Sequence, residues 1–135
     1  EVTMPIITWI EEYSTGNELI DSQHKKWIEI LNQSHDQMMS FGKKDHQQIG
    51  RDILSNIIDY TRFHFDCEEK WMQEAGYKEI GHHSQLHKDF IARIERIEGD
   101  FQAGNPMLNS ELIKLIENWL VHHILNEDTK INGRE

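Results

Sequence analysis

The run ILSNIIDYTRFHFDCEE, residues 53–69, decides the fold. Ile53, Ile57 and Tyr60 recur at steps of four and three, and His64 and Glu68 continue the same line at steps of four. Residues three and four apart stack on one side of a helix, so this spacing predicts a helix with one face turned inward. It also carries an anomaly. The face that should stay apolar ends in an imidazole and a carboxylate. The helical pattern extends both ways, from near Asp45 to Glu74, with Ile49 and Trp71 on the same side and Gly50 as a mild weak point.

Three further segments share the period. One runs from near Glu18 to Met39, with Ile20, Trp27, Ile28, Leu31 and Met38 as its stripe. Another runs from near Ile80 to Phe101, with Phe90, Ile94, Ile97 and Phe101. The last opens after Pro106, with Asn109 or Ser110 as N-cap and Glu111 in the first turn. Its stripe is Leu112, Ile113, Ile116, Trp119 and Leu120. No segment alternates with period two. Residues 1–17 form an N-terminal arm, and Glu1 to Thr3 read as a remnant ahead of a natural start at Met4. Four helices with short links predict an all-α, up-down-up-down antiparallel four-helix bundle. At 135 residues it reads as a single domain, 1–135.

Hydrophobic residues make up 37% and charged residues 28% of the chain, a balance that suits a soluble globular protein. There is no apolar run long enough for a membrane span and no signal-peptide pattern. The formal net charge of −10 argues against nucleic acid and anionic membranes, both of which select a basic face. The single cysteine, Cys67, excludes an internal disulfide framework and fits a reducing, cytoplasmic location. It reads as a small buried apolar residue. The nine histidines stand out, since average usage predicts roughly three in a chain of this length.

Their placement matters more than their number. His24 lies four residues after Ile20 and four before Ile28. His83 and His87 lead at helical steps into Phe90, Ile94 and Ile97, and His123 follows Trp119 by four and Leu120 by three. With His64, every helix therefore puts an imidazole on its inward face. One such histidine would read as an ordinary core residue bonded to a carbonyl. Five are different, because each unpaired buried polar group costs on the order of 1–3 kcal/mol. Together with two carboxylates they would consume about the whole stability of a small domain. A buried metal satisfies all of them at once. Seven ligands exceed one tetrahedral zinc and suit two ions, and imidazole with carboxylate suits iron, manganese or zinc. The second carboxylate is ambiguous by geometry. Glu127, four residues after His123, continues the stripe, whereas Asp128 lies about 100° further round the helix. His35, His46, His82 and His122 have no place in the pattern and read as surface imidazoles.

The blocks Ile20-Asp21-Ser22-Gln23-His24-Lys25, His64-Phe65-x-x-Glu68-Glu69, His83-x-x-x-His87 and Trp119-Leu120-x-x-His123-Ile124-x-x-x-Asp128 together resemble the hemerythrin family in its bacterial form. The likeness spans almost the entire chain and takes in Trp9, Gly16, Met72, Tyr77 and Phe90. The resemblance implies two iron ions (Fe2+/Fe3+) in the bundle. His83, His87 and His123 would bind one and His24 and His64 the other. Glu68 and Asp128 would bridge both, with an oxo or hydroxo group. The family pattern thus favours Asp128 over Glu127, which requires the helix to loosen near its end. The second iron is then one ligand short, and in the family dioxygen binds there reversibly. Trp119, Leu120 and Ile124 match the apolar wall of that dioxygen pocket. Trp27 stands where relatives commonly carry leucine, and so reads either as a gate or as simple packing.

The resemblance implies oxygen storage, delivery or sensing, with dioxygen as the partner and nitric oxide as another candidate ligand, and no enzyme activity. The alternative is a di-iron enzyme with oxidase, peroxidase or nitric-oxide-handling activity. Carboxylate-rich oxidative sites use a duplicated Glu-x-x-His signature. Here only Glu79-x-x-His82 has that spacing.

Overall fold

The computed structural model describes residues 7–40, 46–102 and 110–131, and at 38–40, 46–49, 100–102 and 110–114 the backbone alone. Four helices carry the chain: α1 Glu18–Ser40, α2 His46–Ala75, α3 Ile80–Gln102 and α4 Ser110–Asn126. No strand occurs among the described residues. The expected boundaries hold to within a residue. Asn109 and Pro106, and the side chains of Met38, Ile49, Phe101, Glu111, Leu112 and Ile113, lie outside the described residues.

Local chemistry sets the helix ends near the site. Asn17 caps α1, its Oδ1 accepting the Ile20 N–H at 3.1 Å. Asp21, one turn on, accepts the Ser14 hydroxyl at 2.7 Å and both the N–H and hydroxyl of Thr15 at 2.8 Å, which ties the arm to the helix. Further along, the Asn32 amide exchanges two hydrogen bonds with the backbone of Ile7. The 3-10 turn Glu11–Tyr13 brings the arm against α4. At the end of α2, Gly76 takes φ +65°, a left-handed conformation that favours glycine. The Tyr77 N–H then reaches the Met72 carbonyl at 3.0 Å and the Gly76 N–H the Gln73 carbonyl at 3.2 Å, a Schellman close. Only residues 76–79 separate α2 from α3, so the two helices return on each other side by side.

Helix α1 packs on α2 and α4, and α2 packs on α3. The starts of α1 and α3 meet the ends of α2 and α4, as an antiparallel up-down bundle requires. The core holds Trp27, Ile28 and Leu31 from α1; Ile53, Leu54, Ile57, Ile58 and Phe65 from α2; Phe90 and Ile94 from α3; and Ile116, Leu120 and Ile124 from α4. Each large side chain buried this way contributes about 1.5–3 kcal/mol. No described helix is long and apolar enough to cross a membrane.

Candidate metal centre

Because the helices alternate in direction, residues far apart in sequence meet at one end of the bundle. His24 comes from the start of α1, His64 and Glu68 from the last part of α2, His83 and His87 from the start of α3, and His123 from the last turn of α4. All six are buried.

Asp128 joins them because α4 stops. The helix ends at Asn126, Glu127 leaves helical geometry at φ −120° and ψ −53°, and Asp128 opens the 3-10 turn Asp128–Lys130. The Glu127 N–H still reaches the His123 carbonyl at 2.8 Å, and the Thr129 hydroxyl donates to the Leu125 carbonyl at 2.9 Å. The break swings Asp128 inward, where it is fully buried. Glu127 is left at the margin, 3.8 Å from the exposed His82. The helical line through His123 therefore does not decide between the two carboxylates, because the chain is no longer helical when it reaches them.

Each carboxylate divides its oxygens between two sets of imidazoles. Glu68 Oε1 lies 2.9 Å from His83 Nε2, 3.0 Å from His87 Nε2 and 3.8 Å from His123 Nε2. Its Oε2 lies 3.3 Å from His64 Nε2 and 3.5 Å from His24 Nε2. Asp128 Oδ1 is 3.0 Å from both His83 and His123, and Oδ2 is 3.0 Å from His24. Two groups that could each hold a metal ion follow: Glu68, His83, His87, His123 and Asp128; and His24, His64, Glu68 and Asp128. Within each group the ligand atoms lie within 4.8 Å of one another.

The residues fit a pair of cations. The Nε2 atoms of His87 and His83 both approach His123 Nε2, at 3.0 and 2.9 Å, a crowding that a shared positive centre relieves. His24 Nε2, His64 Nε2, Glu68 Oε2 and both Asp128 oxygens are buried without a hydrogen-bond partner among the described residues. Such atoms are costly unless something coordinates them.

The electrostatics match. Burial alone lowers the pKa of His24, but the Asp128 and Glu68 carboxylates beside it outweigh burial and raise the value to about 9. The same balance raises His83 to about 9 and raises His123. Burial wins for His64, helped by the neighbouring His24 cation, and its pKa falls although Glu68 is near. Burial would raise both carboxylates, yet the surrounding imidazoles hold Glu68 and Asp128 below the ordinary carboxylate range.

Two residues orient the imidazoles from behind. The His64 Nδ1–H donates to Gln23 Oε1 at 2.8 Å, and Tyr60 OH fixes the Gln23 backbone at 2.8 Å. The His87 Nδ1–H donates to Glu69 Oε2 at 3.0 Å, while Glu69 Oε1 accepts from Ser84 at 3.1 Å. Such outer contacts set ring tautomer and basicity in metal sites. Neither Gln23 nor Glu69 has a role that the sequence pattern alone assigns. The available signal was an acceptor next to each histidine–carboxylate block, but it becomes specific only once the facing helix is known.

Aromatic and aliphatic side chains close the site from the core side. Trp119 stacks on His123 at 4.4 Å, Phe90 on Trp119 at 3.8 Å, and Phe65 on His87 at 3.7 Å. Leu120, Ile124 and Trp27 are fully buried, and Trp27 lies 5.5 Å from His64 between ring centroids. Of the other histidines, His82 and His122 are exposed, His35 is half-buried, and the His46 side chain lies outside the described residues. Cys67 is half-buried, not interior as the sequence suggested, because it sits beside the inward line of His64 and Glu68.

An all-α bundle that gathers five imidazoles and two carboxylates at one end defines a cation-binding helical protein. The hemerythrin HHE cation binding domain matches residues 15–134. Bacteriohemerythrin of Pseudomonas aeruginosa PAO1 is 36% identical over 125 residues, covering 93% of this chain and 78% of that one. The bacteriohemerythrin of Methylococcus capsulatus is 30% identical over 126 residues, covering 93% of each. A crystal structure of wild-type hemerythrin superposes with a TM-score of 0.83 at 30% identity, over 92% of this chain and 93% of that one. The chain belongs to the hemerythrin family.

Proposed function

We propose that this chain is a non-haem di-iron protein that binds dioxygen reversibly, for storage, delivery or sensing, and is not an enzyme. His83, His87 and His123 would hold one iron, His24 and His64 the other, and Glu68 and Asp128 would bridge them together with an oxo or hydroxo group. The observation that supports this most is the division of each carboxylate between a three-histidine and a two-histidine set. The first set offers five protein atoms, three imidazole nitrogens and one oxygen from each carboxylate; the second offers four. The poorer set keeps room for a small ligand, as sites that bind substrate directly at a metal do. When bound, reduced iron supplies the electrons that dioxygen capture draws on.

The remaining side chains have separable tasks. Glu69 and Gln23 hold His87 and His64 in the tautomer that leaves Nε2 free for a metal. The buried Leu120, Ile124 and Trp27, with the half-buried Trp119 stacked on His123, would form the dry wall of the dioxygen pocket and exclude the water and acid that would displace a bound ligand. Iron-loaded protein, reduced without air and then exposed to it, should develop a visible absorption band that vanishes on degassing and returns over repeated cycles. Irreversible turnover with a reductant would move the reading to a di-iron oxidase or peroxidase. A protein that retains only zinc and stays colourless would end it.

A further inference from the structure

Trp27 is fully buried, and its indole Nε1 has no hydrogen-bond partner among the described residues. A buried N–H without an acceptor is costly, and native interiors contain few. Neighbouring hydroxyls behave as expected: Thr61 donates to the Ile57 carbonyl, Ser34 to that of Ile30, and Tyr60 to that of Gln23. Trp27 shares its condition with Nε2 of His24 and His64 and with the oxygens of Asp128, atoms that face the proposed metals, and also with Nδ1 of His24, His35 and His83.

Its surroundings narrow what the N–H can serve. The indole contacts three rings, those of His64, Phe65 and Phe90, at 5.5, 5.7 and 6.5 Å. The two phenylalanines offer no acceptor. His64 Nδ1 is already bonded to Gln23, and its Nε2 faces Glu68. Trp27 also follows His24 by three residues on α1, and so shares its face. The ring that carries the unpaired donor therefore packs against His64 and lies on the His24 face of α1, beside the four-atom set.

We propose that the Trp27 indole N–H is a hydrogen-bond donor to the small ligand taken up by the His24–His64 half, making Trp27 a determinant of ligand affinity and residence time. The inference rests on the di-iron reading above. A donor in an otherwise apolar wall favours ligands that carry an acceptor atom or negative charge, and slows their escape.

The test uses ferric, iron-loaded protein with azide as the probe, followed by visible spectroscopy in wild type, Trp27→Phe and Trp27→Leu. Trp27→Phe keeps a buried aromatic ring and removes the donor. Its iron content should match wild type, and the metal-free form should melt no lower. Its azide dissociation constant should rise about threefold to tenfold, the value of one hydrogen bond, through faster dissociation at an unchanged association rate. An azide dissociation rate in Trp27→Phe equal to wild type would overturn the proposal. So would an effect confined to faster association in Trp27→Leu, because that assigns Trp27 a steric role only. If wild type itself retains no iron pair, or binds no azide, it is the di-iron reading that has failed.

Discussion

Asp128 and Glu127 are adjacent acids with opposite surroundings, and the contrast gives the sharpest test of the proposed ligand set. Asp128 is enclosed by His24, His83 and His123, whereas Glu127 meets none of these and lies 3.8 Å from the exposed His82. Asp128→Asn should lower iron content to about one per chain or less, since a neutral amide is a poor bridging ligand. Glu127→Gln should leave iron content unchanged. Equal iron in both variants, measured by metal analysis after desalting, would contradict the assignment. Glu69 acts one shell further out. Glu69→Ala removes the acceptor of the His87 Nδ1–H and should weaken iron binding about 10- to 100-fold in a chelator competition. Glu69→Gln retains an acceptor oxygen and should lose less. The His64–Glu68 and His83–His87 pairs were legible in the sequence because four-residue spacing is a property of one helix. Glu69 and Gln23 were not, because their partners depend on how neighbouring helices are rotated, which no single periodicity encodes. The unpaired Trp27 N–H is likewise invisible in a string of letters.

At the scale of the elements, helix termini do the positioning. Glu68 and the His83–His87 pair face each other because α2 turns into α3 within residues 76–79, and that turn depends on Gly76 at φ +65°. A Cβ at Gly76 would meet nothing within 4 Å, so the cost of a side chain there is purely conformational. Gly76→Ala should destabilise the protein by about 1 kcal/mol, read as a lower urea midpoint. Gly76→Asn should recover part of it, because asparagine tolerates the left-handed region. If alanine were neutral, the turn would not be what holds α2 against α3. The helices themselves were readable because 3.6-residue periodicity persists for several turns in each. What periodicity misses is where a helix stops. Asp128 lies two residues beyond the end of α4, where extrapolating the turn angle no longer has meaning, and only the family pattern pointed to it.

For the whole molecule, the site is a store of charge inside an acidic protein, and this makes stability depend on pH in opposite senses with and without metal. In the metal-free protein, the adjacent Asp128 and Glu68 carboxylates overcome burial and raise His24 and His83 from 6.5 to about 9. A raised histidine contributes stability that is complete below its unfolded value and disappears as pH climbs through about 9. The depressed Asp128 and Glu68 contribute stability above the ordinary carboxylate range and lose it in stronger acid. Metal-free protein should therefore be most stable near pH 6.5, because the depressed His64 withdraws stability below that pH, and weaker at pH 9 by on the order of 1–3 kcal/mol. Metal reverses the alkaline limb. Coordination needs neutral imidazoles, so loading expels the protons that His24, His83 and His123 would otherwise keep, and alkali favours it by mass action. The gap in urea midpoint between iron-loaded and metal-free protein should widen steadily from pH 6 to pH 9, and loading at pH 7 should acidify a weakly buffered solution. A metal-free protein equally stable at pH 6 and 9, together with loading that releases no protons, would mean that these carboxylates and imidazoles do not share charge in the empty bundle.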